Sequence, residues 1–233
     1  MNTVLSAKSS PHIRHQDTAS GIMLDVIIAL LPAAVFGCIL FGFKAALILI
    51  TCVATAVLSE FLWNIIFKKP NTIGELSAVV TGLLLGMSFS SEVPLWIAAI
   101  GSVFAIIFAK QLFGGIGCNF TNPAVTARVA LSVVFYSAMT KYAVPVQDIV
   151  SSATPLAKLS DSAVELAVPL TTKNLFFGMH SGCIGETSAF LLIIGGLYLI
   201  MRRVIAPTIP FAFVGTVALS SLVSGGKVSV AIF

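Results

Sequence analysis

Apolar residues run through this chain in long stretches, and polar residues interrupt them in only a few places. The runs predict seven helical spans, at about 22–43, 45–67, 76–91, 94–110, 122–139, 186–201 and 207–224. A helix needs roughly 20 apolar residues to cross a bilayer, and several of these runs fall short. Short runs predict broken or tilted segments rather than simple rods. Residues 1–21, MNTVLSAKSSPHIRHQDTASG, are polar and lack the apolar centre of a signal peptide. The other long polar stretch is 140–185. The pattern therefore divides the chain into four parts. These are a tail (1–21), a first membrane unit of about five spans (22–139), a loop (140–185) and the start of a second membrane unit (186–233).

Composition fixes the class. Of 233 residues, 58% are hydrophobic and 9% charged, and the mean hydropathy is +1.05. A soluble domain needs far more charge to cover its surface. The alternation of a membrane barrel is absent, so the expected fold is all-α, a polytopic transmembrane bundle. The net charge of +4 is spread along the chain without a basic block, which gives no reason to expect a nucleic-acid partner. Cys38, Cys52, Cys118 and Cys183 form no C-x-x-C pair, and His12 and His15 lie in the polar tail, so no metal site is expected. The basic pairs Lys68–Lys69 and Arg202–Arg203 favour a cytoplasmic N-terminus, with Lys110 and Arg128 on that side too. The loop 140–185 then lies outside.

Two motifs interrupt the apolar pattern. FGGIGCNFTNPAVTAR, residues 113–128, places three glycines and two asparagines where a helix is uncomfortable. Asn122 before Pro123 reads as an N-cap followed by proline at the first helical position. Irregular backbone at membrane depth survives only against protein, ligand or water. The turn reads either as a bare re-entrant element or as a pocket at a half-helix N-terminus. The second motif is a repeated hexad, IGELSA at 73–78 and IGETSA at 184–189, each opening an apolar helix. In the expected topology the two helices run in opposite directions, as in an inverted-topology repeat. Thr72 and Glu75 fit a capping box. The final VSVAIF is apolar, so the second unit is expected to continue past it. Among charges within spans, Asp25 is expected in the first helical turn, and Glu60 is expected to snorkel near Trp63 and Asn64. Gly82 and Gly86 read as a close helix contact.

LLPAAVFG, TGLLLGMSFSSEVPLW, AKQLFGGIGCNFTNPAVTARVAL, SSATPL and GCIGETSAFLLIIGGLYLI resemble one family throughout. It is the membrane-embedded flavoprotein component shared by two redox-driven ion pumps, the Rnf complex and the sodium-pumping NADH:quinone reductase. The short tail is more similar to the Rnf member, RnfD. The family's further C-terminal helices are not among these residues. The resemblance implies FMN joined through its phosphate to the hydroxyl of Thr154, in SSATPL. Ser151 and Ser152 would then bond phosphate oxygens, and a flavin transferase would act on the exposed loop. It further implies a second, non-covalent flavin, riboflavin, for which Asn119, Asn122 and Arg128 are the candidate lining. It implies one component of a translocase in a bacterial or archaeal cytoplasmic membrane. Partner subunits would handle ferredoxin and NAD, and Na⁺ or H⁺ would be moved. The alternatives are the corresponding membrane component of the quinone reductase, NqrB, and, in another class, an inverted-repeat secondary transporter using Glu60, Lys110 and Arg128. Flavin fluorescence that persists on the denatured polypeptide separates a carrier from a transporter.

Overall fold

In a computed structural model of the chain, the described residues are 18–69, 72–143, 176–178, 180–186 and 188–223. Every regular element among them is helical. Among these residues eight α-helices follow one another: α1 Ala19–Phe41, α2 Phe43–Ile66, α3 Ser77–Met87, α4 Leu95–Ile107, α5 Pro123–Val134, α6 Tyr136–Met139, α7 Ala189–Met201 and α8 Thr208–Val223. Short 3-10 turns occur at Ile73–Glu75, Gln111–Phe113 and Ile184–Glu186. The seven predicted spans all correspond to helices. Three stretches, Ala19–Phe41, Phe43–Ile66 and Leu95–Phe113, are long and apolar enough to cross a membrane. The 11 residues of α3 and the 12 of α5 are shorter than their predicted runs. At a rise of about 1.5 Å per residue each covers about half a hydrocarbon core.

Local chemistry sets these boundaries. Thr18 caps α1, its hydroxyl accepting from the Gly21 N–H at 3.2 Å. Only Gly42 separates α1 from α2, at φ 74°, a left-handed conformation that glycine adopts without strain. The two long helices therefore form an antiparallel hairpin. Asn122 accepts from the Ala124 N–H at 3.0 Å, with Pro123 leading α5, as the Asn-Pro spacing predicts.

Between helices in lipid, close packing of small residues replaces the hydrophobic drive. Ala33, Ala45, Cys52, Ala98, Ala105 and Ala127 lie at the centre of the bundle, interleaved with Ile48, Leu85, Phe89 and Ile97. Large apolar side chains such as Ile39, Ile50, Val133, Ile194 and Phe211 face outward. Gly82 and Gly86 bring α3 onto α2: a Cβ on Gly82 would lie 2.8 Å from the Cys52 carbonyl and one on Gly86 2.9 Å from Leu49. Gly195 of α7 packs as tightly on the Ala29 backbone of α1.

These contacts settle the direction of the two hexad-led helices. The start of α3 lies near the end of α2, and its end near the start of α2, so α3 runs antiparallel to α2 and parallel to α1. In α7, Arg202 at the C-terminal end meets Asp25 near the start of α1. Ile184, just ahead of α7, meets Gly37 near the end of α1. Thus α3 and α7 run in opposite directions, and both copies of I-G-E fold as the same 3-10 turn. Asp25 is not in the first turn of α1. It is buried further along, where it accepts from Tyr198 Oη at 2.9 Å and from Arg202 Nε at 3.1 Å. The helix starts earlier than its apolar run because Thr18 supplies the cap.

Candidate functional site

The glycine turn follows α4. Gly114, Gly115 and Gly117 all have positive φ, and Phe113 packs edge-on against Phe120 at 4.8 Å. The Asn119 amide lies against the carbonyls of Lys110 (3.0 Å) and Gly115 (3.3 Å), where its NH₂ group donates to both. Asn122 Oδ1 is engaged in the α5 cap. The turn is thus held by its own amides, with Leu112, Ile116 and Phe120 exposed beside it.

A buried charged network stands against the first I-G-E turn. Glu60 of α2 and Lys110 are 1% and 2% exposed, and Lys110 Nζ donates to Glu60 Oε1 at 2.9 Å. The same carboxylate oxygen accepts from Thr72 Oγ1 at 2.9 Å and Gln111 Nε2 at 3.1 Å. Lys110 also donates to Ser77 Oγ, and Asn64 Nδ2 to Thr72 Oγ1 at 3.1 Å. Glu60 Oε2 is buried without a hydrogen-bond partner among the described residues. Glu60 therefore does not snorkel. Its interaction with Lys110 joins α2 to the end of α4 and leaves neither buried charge without a partner of opposite sign. Nor does the capping box form: Thr72 makes no cap hydrogen bond, because its hydroxyl is turned toward Glu60.

The second I-G-E turn is packed by backbone rather than charge. The Ile184 N–H donates to the Phe89 carbonyl at 2.8 Å, where α3 has just ended. A Cβ on Gly37 would lie 2.5 Å from the Ile184 carbonyl, and one on Gly185 2.8 Å from Met87 Cβ. The turn therefore inserts between α1 and α3. Arg128 of α5 reaches this region: its NH1 and NH2 point to Met139 Sδ and Cys183 Sγ, each at 3.8 Å, and its guanidinium lies 5.8 Å from the Phe89 ring centre. Burial raises the Tyr142 hydroxyl above the usual phenol range, with Cys183 and Glu186 adding to the rise and Arg128 opposing it.

Of the candidate residues, Asn119 and Asn122 shape the glycine turn, whereas Arg128 is directed to Met139 and Cys183. Thr154, Ser151 and Ser152 lie outside the described residues. The chain between Met139 and Cys183, which contains them, leaves and re-enters the bundle at neighbouring points. Sequence reasoning does not pair Glu60 with Lys110; two opposite charges in separate apolar runs are the one visible signal of the pair.

Against known sequences, the family described as NQR2, RnfD, RnfE matches residues 6–232. The chain belongs to this family. Among its NQR2/RnfD/RnfE relatives is the RnfD-type component of the Na(+)-translocating ferredoxin:NAD(+) oxidoreductase complex of Acetobacterium woodii. The two are 44% identical over 95% of this chain and 70% of that protein. The corresponding component of the proton-translocating ferredoxin:NAD(+) oxidoreductase complex of Clostridium ljungdahlii is 39% identical over 97% of this chain and 71% of its own length. That of the ion-translocating oxidoreductase complex of Rhodobacter capsulatus is 36% identical, covering 93% and 69%. These NQR2/RnfD/RnfE members include one named for sodium and one for protons, so similarity to them leaves the ion open.

Proposed function

We propose that this chain is the RnfD-type membrane component of an ion-translocating ferredoxin:NAD⁺ oxidoreductase, and that it carries flavin. The observation that carries the reading is the match along nearly the whole chain to relatives named for that component. The all-helical apolar bundle, with its two inverted half-helices, supports a membrane role. Ferredoxin and NAD fall to partner subunits, since this sequence has no C-x-x-C pair and no dinucleotide fingerprint. Lys68, Lys69, Arg202 and Arg203 share the face where α1 begins, which supports a cytoplasmic N-terminus and an external 140–185 loop.

In this reading Thr154 holds FMN through a phosphoester. Bound there, the flavin supplies one- and two-electron redox chemistry. The fit rests on the neck of the loop: Met139 and Cys183 come together beside Arg128, so the intervening chain begins and ends at one place. By their residue types, Ala153 would let the transferase close around the backbone, Pro155 would favour an extended Thr154, and Ser151 and Ser152 would bond phosphate oxygens. A second flavin, riboflavin, would be held by the glycine turn, where aromatic Phe113 and Phe120 and the Asn122 amide offer an apolar wall with polar points. Arg128 is engaged with Met139 and Cys183 and is not assigned to that wall.

The test is Thr154→Ala in the chain matured with its transferase. Flavin fluorescence on the denatured polypeptide is expected to vanish, while the protein still inserts and assembles. Persistent fluorescence contradicts the assignment to Thr154.

A further inference from the structure

The link between α3 and α4 makes a tight turn. The Val93 N–H donates to the Ser90 carbonyl at 3.2 Å and the Glu92 N–H to Ser90 Oγ at 3.4 Å, so Ser91 and Glu92 stand at its corner. This turn lies beside the start of α2 and encloses a cavity of about 260 Å³, lined by Lys44, Ser91 and Glu92 with Leu47, Ile48 and Leu95. Lys44 Nζ lies 3.6 Å from Glu92 Oε1. A charge-assisted hydrogen bond is about 2.7–2.9 Å, so the pair is loose, and neither charged group has another partner among the described residues. Lys44 is exposed and sits in the first turn of α2, where the helix dipole disfavours a cation. An exposed pair of this kind contributes little to folding. Ser91 is 5% exposed, yet its hydroxyl has no hydrogen-bond partner among the described residues. The cavity thus offers a cation, an anion and a spare hydroxyl against an apolar wall. It lies at the opposite end of α2 from Lys68 and Lys69. Trp96, exposed next to Leu95, is of a residue type enriched at the level of lipid headgroups.

We propose that this cavity binds the headgroup of a zwitterionic glycerophospholipid with a primary ammonium, phosphatidylethanolamine. Lys44 donates to the phosphodiester, and Glu92 and Ser91 accept from the lipid ammonium, while the acyl chains follow the apolar outer surface of the bundle. Each loosely held charge then gains a partner of opposite sign. Phosphatidylcholine presents the same phosphate, but its trimethylated nitrogen has no N–H to donate to Glu92 or Ser91. Phosphatidylglycerol lacks the cation and sets its phosphate beside an unmatched carboxylate. Selectivity therefore comes from the paired charges of the cavity, not from the net charge of the protein.

The experiment incubates the lipid-depleted full chain in detergent with equal amounts of phosphatidylethanolamine, phosphatidylcholine and phosphatidylglycerol of one acyl composition. Retained lipid is counted by native mass spectrometry, and the melting temperature is read without lipid. Wild type retains phosphatidylethanolamine about tenfold over either competitor, the worth of one hydrogen bond to a charged group. In Glu92→Gln that preference vanishes and phosphatidylglycerol retention rises, because Lys44 no longer has a carboxylate beside it. In Lys44→Gln retention of phosphatidylethanolamine falls to the level of phosphatidylcholine. Both variants melt with wild type in the absence of lipid, since the pair is loose and exposed. Equal retention of the three lipids by wild type overturns the proposal, as does an unchanged preference in Glu92→Gln. Should either variant melt lower without lipid, Ser91→Ala is read in its place. It keeps both charges, its preference drops severalfold, and a wild-type preference in it overturns the assignment.

Discussion

The two I-G-E turns are the same three residues in the same 3-10 conformation, each opening an apolar half-helix, yet their surroundings differ in kind. Around Ile73–Glu75 the bundle places a buried ion pair with hydroxyl and amide partners. Around Ile184–Glu186 it places bare backbone, sulfur and an aromatic ring, with an arginine at the edge. The comparison teaches that the motif specifies a turn and a helix start, while the neighbours decide what holds it. One copy is locked by charge between α2 and α4. The other is locked by shape between α1 and α3.

The largest effect is expected where charge is left unpaired. Lys110→Met strands Glu60 in the interior and should cost about 3–5 kcal/mol, read as a lower melting temperature in detergent. Adding Glu60→Leu should recover most of that loss, because an apolar pair of similar volume replaces both charges. Failure of the double substitution to recover would show that the network, not the pair alone, supports the first turn.

Next comes the glycine at the same place in each hexad. A Cβ on Gly185 would lie 2.8 Å from Met87 Cβ and 3.0 Å from its carbonyl, whereas one on Gly74 meets nothing within 4 Å. Gly185→Ala should therefore cost about 1–3 kcal/mol through overpacking. Gly74→Ala should stay within roughly 0.5 kcal/mol. Equal effects at the two positions would erase the contrast between the turns.

A smaller difference lies at the serines that share the fifth hexad position. Ser188 caps α7, accepting from the Leu191 N–H at 3.5 Å, and Ser188→Ala should cost about 1 kcal/mol. Ser77 instead receives the Lys110 ammonium. Smallest in stability terms is a labelling contrast: Cys118, exposed in the glycine turn, should react with a maleimide in the folded protein. Cys183, buried beside Arg128 at the second turn, should react only after unfolding.

Much of the fold is legible in the sequence because its determinants are local. Apolar runs locate the helices, and Asn122-Pro123 marks the start of α5 to the residue. The duplicated hexad identifies two opposed half-helices, since a 3-10 turn and a helix start depend on neighbouring residues. The site is less legible because its contacts span distances that periodicity does not carry. Glu60 and Lys110 are separated by 50 positions, and nothing in either run selects the other. The apolar run beginning at Ile22 puts Asp25 in a first turn, although Thr18 caps the helix a turn earlier. Closeness in sequence groups Arg128 with Asn119 and Asn122. On a helix, closeness in sequence does not mean a shared direction, and its long side chain reaches the returning loop instead.

The flavin-carrying role is tested most directly by the intact mass of the mature polypeptide, followed by mapping of its peptides. The account predicts an addition equal to FMN less one water, located on the peptide containing Thr154. An unmodified mass in protein matured with its transferase, or the same addition on another residue, would contradict it.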